Sequence, residues 1–288
     1  MKKQTNEKTK EQLKEIQFMN CKLFINESKP GKFEKDLKIA SPLLLKAAAG
    51  EKLTAVERIT LLTIYKVSFH DSGKIEGTSS LDSTATNCEF CQNMRNNNAD
   101  NKACICVHCY DAAQEQYRIN VLNRHTLNML IMSTVDFEID ELRMLPLTLI
   151  TRVNSSGDTR NKIYARNMLK CCFAFPLIHF GYWAKNTAPI IAACDELGKP
   201  ENLILIQSAC YIGKTVKKAK YFDYVFIVYP DKESTEKAIA AGASACNGKK
   251  CRECGYKCYF GNHAGNGTIA ELLRGADKKT IQDIKASI

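Results

Sequence analysis

Long apolar runs are missing from this chain. No stretch approaches the roughly 18–20 consecutive apolar residues of a membrane-spanning helix, so no membrane association is expected. The opening MKKQTNEKTKEQLKEIQF is charged and has no apolar core of the kind a secretory signal carries, which points to a cytoplasmic protein with reduced thiols. Tryptophan is down to 1 residue and histidine to 5, and no arginine-rich or aromatic-interleaved basic run occurs. The usual sequence marks of a nucleic-acid-binding surface are therefore absent. No Ser-His-Asp triad or carboxylate pair stands at a telling spacing. His70, His125 and His179 have no ligand-like neighbours in sequence and read as ordinary core or surface residues. GNHAGNG, around His263, lacks both the strand–GxGxxG–helix setting of a dinucleotide loop and the Lys-Ser/Thr of a phosphate loop.

What remains is a composition 45% hydrophobic and 25% charged, enough for a packed core in 288 residues. The 41 Lys+Arg against 31 Asp+Glu give a net charge of +10. Lysines are dense in residues 1–38, in Lys214–Lys220 and in Lys278–Lys285, mostly alternating with acids as on solvated helix faces. That balance keeps nucleic acid open as a partner without specifying it.

The pattern divides the chain into three parts. Residues 1–70 read as an N-terminal helical region: residues 1–20 are polar and helix-prone, and 41–66 form two short helices broken at Gly50, the second capped by Thr54. Residues 71–245 comprise a small, polar loop (71–87), a cysteine-rich loop, a helix over Asp111–Asn128, and then short apolar runs. Those runs are Leu145–Val153, Phe173–Phe180, Asn202–Gln207 and Tyr224–Tyr229, alternating with helical stretches at Lys162–Leu169, Ala188–Leu197 and Ser234–Ala241. Continuous apolar strands alternating with helices predict an α/β fold with a buried parallel sheet, either open or a partial (β/α) barrel, with its site at the C-terminal strand ends. Residues 246–288 form a C-terminal cysteine-rich segment and tail.

Cysteine is the abundant residue, with 14 copies. Nine fall in two groups: Cys88, Cys91, Cys104, Cys106 and Cys109, then Cys246, Cys251, Cys254 and Cys258. Crowded thiols in a reducing compartment bind metal. Cys88-x2-Cys91 with Cys106-x2-Cys109, and the later C-x4-C-x2-C-x3-C, would each supply four thiolates to a structural zinc ion. Alternatively Cys91, Cys106 and Cys109 hold a [4Fe–4S] cluster with one open iron, the second group holds a fully ligated one, and Cys88 and Cys104 are spare. His108, between cluster thiolates, then lies beside the ligands. Cys21, Cys171, Cys172, Cys194 and Cys210 read as apolar fillers. At the strand ends, Asn154-Ser155-Ser156-Gly157-Asp158 is either a plain turn or a ligand site. Lys185 and Ser208 are candidates for the same mouth, and Arg152 is expected to pair with an acid.

The order of parts resembles the radical S-adenosylmethionine superfamily: cysteine trio ending C-x-aromatic-C, β/α units, C-terminal auxiliary cluster. More closely, GKIEGTSSLDST, CVHCY, RVNSSGD and CRECGYKCY resemble the phage and plasmid "gene product 88" family over roughly residues 70–274. That resemblance implies Cys91, Cys106 and Cys109 as ligands of a substrate-proximal [4Fe–4S] cluster, and Cys246, Cys251, Cys254 and Cys258 as ligands of an auxiliary one. It further implies that Asn154, Ser156, Gly157 and Asp158, with Lys185 nearby, meet S-adenosylmethionine at a turn offering backbone groups to its amine. The trio here is stretched to C-x14-C-x2-C from the superfamily's C-x3-C-x2-C. The expectation is an iron–sulfur enzyme acting on a substrate the sequence leaves open. The alternative is a non-catalytic protein with two zinc ions and a basic surface for nucleic acid.

Overall fold

Strand–helix alternation organises the chain as read, and the strand order then decides where chemistry can sit. The computed structural model describes residues 13–246, 248, 250–273 and 278–287. Strands β1 (Lys14–Phe18) and β2 (Cys21–Ile25) precede helices α1 (Lys32–Ala48) and α2 (Ala55–Ile64). Then come β3 (Ser68–Phe69), β4 (Ser79–Leu81), α3 (Glu89–Asn96), α4 (Tyr110–Tyr117), α5 (Ile119–Thr134) and α6 (Ile139–Leu142). The repeating part follows as β5 (Ile150–Val153), α7 (Lys162–Ala174), β6 (His179–Ala184), α8 (Ala188–Leu197), β7 (Leu203–Ser208) and β8 (Tyr224–Tyr229). The chain closes with α9 (Lys232–Ala240), β9 (Ser244–Cys246), α10 (Lys257–Phe260), β10 (Thr268–Leu272) and α11 (Lys278–Ser287).

Eight strands form one open sheet in the order β3-β4-β5-β6-β7-β8-β10-β9, parallel except for the antiparallel β3–β4 pair. From β4 to β8 every step goes to the same side. Parallel crossovers are right-handed, so all of these connections fall on one face. Helices α5, α7 and α8 pack on one another there. Their buried side chains, with Val153, Phe180, Tyr182 and Leu205 of the strands, make the main hydrophobic core. In β5 the alternation is plain: Thr151 and Val153 are fully buried, while Ile150 and Arg152 point the other way and are half-buried.

The opposite face is not lined by crossover helices. Its cover is the single turn α10, whose Tyr259 meets Trp183 edge-on at 5.5 Å and whose Phe260 lies 4.4 Å from His179. Gly181 makes this possible. It pairs with Arg152 across the sheet, and a Cβ there would sit 2.7 Å from the Trp183 ring and 2.9 Å from Tyr259. The missing side chain is the space in which the indole lies down along the strand.

The predicted Gly50 break and the Thr54 cap are present: Thr54 accepts from the Glu57 N–H, and Glu57 returns a bond to the Thr54 N–H at 2.7 Å. Four expectations need correction. Residues 14–25 form a hairpin, not helix, because Met19 and Asn20 both take positive φ, the two-residue turn that suits twisted strands. Asn87 and Asn123 then accept from the Lys22 and Phe24 N–H groups and fasten it to the body. FAFPLIHF is not one strand: Phe173 and Ala174 finish α7, Pro176 prevents its continuation, and β6 begins only at His179. The run from Leu145 reaches strand form only at Ile150, and the helix expected over 111–128 divides at Arg118. Residues 1–12 and 274–277 lie outside the described residues. Among the described residues no helix is long and apolar enough to cross a membrane.

Replacing Gly181 by Ala is expected to force the Trp183–Tyr259 contact apart and cost about 1–3 kcal/mol. Urea unfolding, together with the near-UV signal of the sole tryptophan, measures both effects.

Candidate functional site

The site is built where β4 and β5 end. Asp82, just past β4, is 2% exposed, and its Oδ1 accepts from the Ser155 N–H (3.1 Å), the Ser156 N–H (3.3 Å) and the Ser155 hydroxyl. Its Oδ2 accepts from the Ser80 hydroxyl at 2.6 Å. One carboxylate therefore shapes the whole turn after β5. Asn154 adopts the left-handed conformation (φ +57) that asparagine tolerates. Gly157 also has positive φ, and a Cβ on it would lie 2.2 Å from the Ser83 hydroxyl and 2.7 Å from that residue's carbonyl carbon. The close approach that demands glycine is thus to Ser83, whose N–H donates to the Ser156 carbonyl (3.2 Å) and whose hydroxyl donates to that of Asp158 (3.0 Å).

Asp158 is likewise used internally. Its carboxylate accepts N–H bonds from Lys185 (2.9 Å), Thr159 (2.7 Å) and, more weakly, Asn186 (3.4 Å), so it ties the end of β6 to the turn after β5. Burial raises its pKa, against the pull of Lys185 and these N–H groups.

Behind Asp82 lies His125, 3.9 Å away, and Glu115 is 3.4 Å from the other ring nitrogen. Glu115 also takes the Thr84 hydroxyl and the Ala85 and Thr86 N–H groups, so it carries the loop leading to Cys88. Burial disfavours the imidazolium, but Glu115 and Asp82 outweigh it and raise the His125 pKa. Burial also pushes both carboxyls up, and His125 with the surrounding donors leaves them lowered. Neither carboxylate nor the histidine stood out in sequence; the only signal was Asp82 within GTSSLDST.

The first cysteine loop is stitched to the loop after β7 by Ile105 N–H to the Cys210 carbonyl (2.9 Å) and Ile212 N–H to the Ala103 carbonyl (2.8 Å). Cys106, Cys91 and Cys109 line a cavity of about 350 Å³, with Lys185 and His108 on its wall. Cys88 and Cys104 are fully buried and do not line it. Cys88 sits at the start of α3, where the Cys91 thiol and the N–H groups of Cys91 and Phe90 hold its pKa below the ordinary thiol value. Burial drives Cys106 to about 12 and raises Cys109, while the hydrogen bond to Cys88, with burial behind it, raises Cys91. Burial also disfavours the Lys185 ammonium, but Cys106, Asp158, Cys91 and Cys109 outweigh it and raise its pKa.

Cys246, Cys251, Cys254 and Cys258 line a second cavity of about 500 Å³, together with Asn154, Gly157, Asp158, Lys185 and Ser208. Asp111, Gly157, Lys185 and Glu271 border both cavities. The C-terminal loop is held there by the Cys251 N–H to the Lys74 carbonyl (2.7 Å) and by the Lys74–Glu271 ion pair (2.6 Å). GKIEG and CRECGYKCY, distant in sequence, are therefore in contact. Cys258 lies 3.1 Å from His263 Nε2, and burial takes its thiol to about 12. Burial raises Asp111 to about 6 despite Arg152. Arg152, expected to pair with an acid, instead lies 4.4 Å over the Trp183 ring.

All seven thiols named as ligands thus reach two adjoining cavities, a donor set that fits thiolate-bound iron–sulfur or zinc. Four of the five residues named for the cofactor line the larger cavity; Ser156 does not, and its hydroxyl is buried without a partner. Among the described residues no three His, Cys, Asp or Glu already surround a single metal position.

The buried histidine gives a signed pH dependence. A raised His125 pKa adds stability fully present below its ordinary 6.5 and lost as pH rises through the folded value. Lowered Glu115 and Asp82 add stability present above their ordinary 4.5 and 3.8 and lost as pH falls. Asp111, raised by burial, also acts on His125, and the pKa of nearby His70 is lowered by burial. Thermal midpoints of the protein and of His125→Gln should therefore differ most between about pH 4.5 and 6.5 and draw together as the pH rises above that window.

Neither the curated proteins nor the solved structures contain a match to this sequence. The family model described as Gene product 88 matches residues 44–281, which takes in the sheet, both cysteine groups and the turn held by Asp82. The chain belongs to the gene product 88 family.

Proposed function

We propose that this chain is an iron–sulfur enzyme of the radical S-adenosylmethionine type, with an open three-thiolate site beside a four-thiolate one. The observation that carries this reading is that Cys91, Cys106 and Cys109, without Cys88 or Cys104, line one cavity and share the Lys185 wall with the cavity of the other four thiols. A [4Fe–4S] cluster bound by three thiolates supplies an iron with a free coordination position and one-electron chemistry.

The chain's own residues have defined parts. Lys185 places an ammonium among three ligand thiols and offsets the charge that their deprotonation creates. Asp82 and Asp158 hold the turn after β5 so that Asn154 and the Gly157 backbone edge the larger cavity. That edge is the natural seat for the amine end of S-adenosylmethionine. Trp183 lines the larger cavity on the sheet side, and Tyr259 braces its ring edge-on. A one-sided strand order with a bare inner face is also what a partial barrel enclosing a substrate requires.

A second reading is favoured by one contact. Cys91 hydrogen-bonds Cys88 at the first turn of α3, so both thiols of that pair lie together, as a closed four-thiolate zinc site with Cys106 and Cys109 would need. That protein would be non-catalytic, and its +10 charge would serve a polyanion with salt-sensitive affinity.

Metal analysis of single variants separates the two. On the iron–sulfur reading, Cys106→Ala loses the iron and sulfide of one centre while Cys88→Ala keeps the full complement. Equal loss of metal from both variants, as zinc, contradicts it.

A further inference from the structure

Arg152 forms no ion pair with any described carboxylate, and its Nε is sealed from solvent with no acceptor. The guanidinium is nonetheless fixed, lying 4.4 Å over the Trp183 ring, which is itself seated in the gap left by Gly181 and braced by Tyr259. Two residues on, at the end of the same strand, Asn154 is 4% exposed. Its Oδ1 accepts from the Tyr164 hydroxyl at 2.8 Å, and its Nδ2 is left buried without an acceptor. Both residues line the cavity of about 500 Å³.

Buried donors without acceptors are rare in folded proteins, and two of them on residues that line one cavity point to a missing acceptor. None of the cavity's carboxylates, Asp111, Asp158, Glu253 and Glu271, pairs with Arg152 among the described residues. Glu271 is paired with Lys74, and the Asp158 carboxylate is taken by backbone N–H groups. Asp111 and the Cys251 and Cys258 thiols feel the charge of Arg152 without bonding to it. A guanidinium anchored over an aromatic face presents a planar fork that fits two oxygens of a carboxylate or phosphate.

We propose that Arg152, with Asn154, forms an oxyanion subsite, so that the ligand entering this cavity carries a carboxylate or a phosphate group. The subsite stands on geometry that does not depend on which metal the cysteines hold, and it can fail or succeed separately from the iron–sulfur reading.

The test is calorimetric titration of the purified full chain with inorganic phosphate and, separately, with acetate, ionic strength being held constant with chloride. Emission of Trp183, the sole tryptophan, serves as a second readout. Saturable binding of at least one oxyanion with a change in emission is expected, phosphate alone or acetate alone naming the group. Arg152→Gln should weaken it by about 10–100-fold, the range for a charged hydrogen-bond partner. Should that variant not fold, Arg152→Lys, which keeps a charge but lacks the fork, is compared instead. No saturable binding of either anion, or affinity unchanged in the folded variant, overturns the proposal.

Discussion

Parallel strands joined by right-handed crossovers leave one face of a sheet free only if each strand is added on the same side as the last. Strands β4 to β8 obey that rule, and the rest of the molecule follows from it. The helices gather on one face and bury Val153, Phe180, Tyr182 and Leu205 in the core. The other face keeps polar and aromatic groups, Arg152 and Trp183 among them, that no core could accept. The C-terminal segment folds back over this face through α10 and brings four cysteines with it. Insertion of β10 between β8 and β9 sets that segment beside the strand ends.

The strand ends are shaped by buried carboxylates. Asp82 and Asp158 each take at least two backbone N–H groups, and Glu115 takes two more in the loop before Cys88. Buried charge is tolerated only with such partners, because burying an unpaired carboxylate is far costlier than the bonds it forms. His125, between Asp82 and Glu115, links the two loops that carry the turn and the first cysteines. The loop carrying the first cysteines is thus tied to the turn after β5 by side chains of the chain itself.

The strands of the middle region were legible because they are continuous apolar runs, and Tyr224–Tyr229 is a strand over the bounds its pattern gives. FAFPLIHF misled because hydrophobicity alone cannot separate the end of a buried helix from the start of a buried strand; Pro176 was the divider. Strands β4 and β10 escaped because SSL is small and polar and TIAEL follows a glycine-rich segment. In the site, the cysteines announced themselves by number and spacing. Asp82, Glu115 and His125 did not, since their roles come largely from partners distant in the chain that sequence does not place, as with Thr84 and Glu115, 31 positions apart. Gly157 was legible as a constrained position, although the group that crowds it is Ser83. Arg152 read as half of an ion pair, and only the sheet register, which sets it opposite Gly181 and beside Trp183, shows that it is not.

The central claim is that the two cysteine groups hold iron–sulfur centres. The most direct measurement is an absorption spectrum of anaerobically purified protein, with iron, sulfide and zinc counted on the same sample. A brown protein with a broad band near about 400 nm, several irons and matching sulfide per chain is the result predicted. A colourless protein with two zinc ions per chain and no sulfide would contradict it.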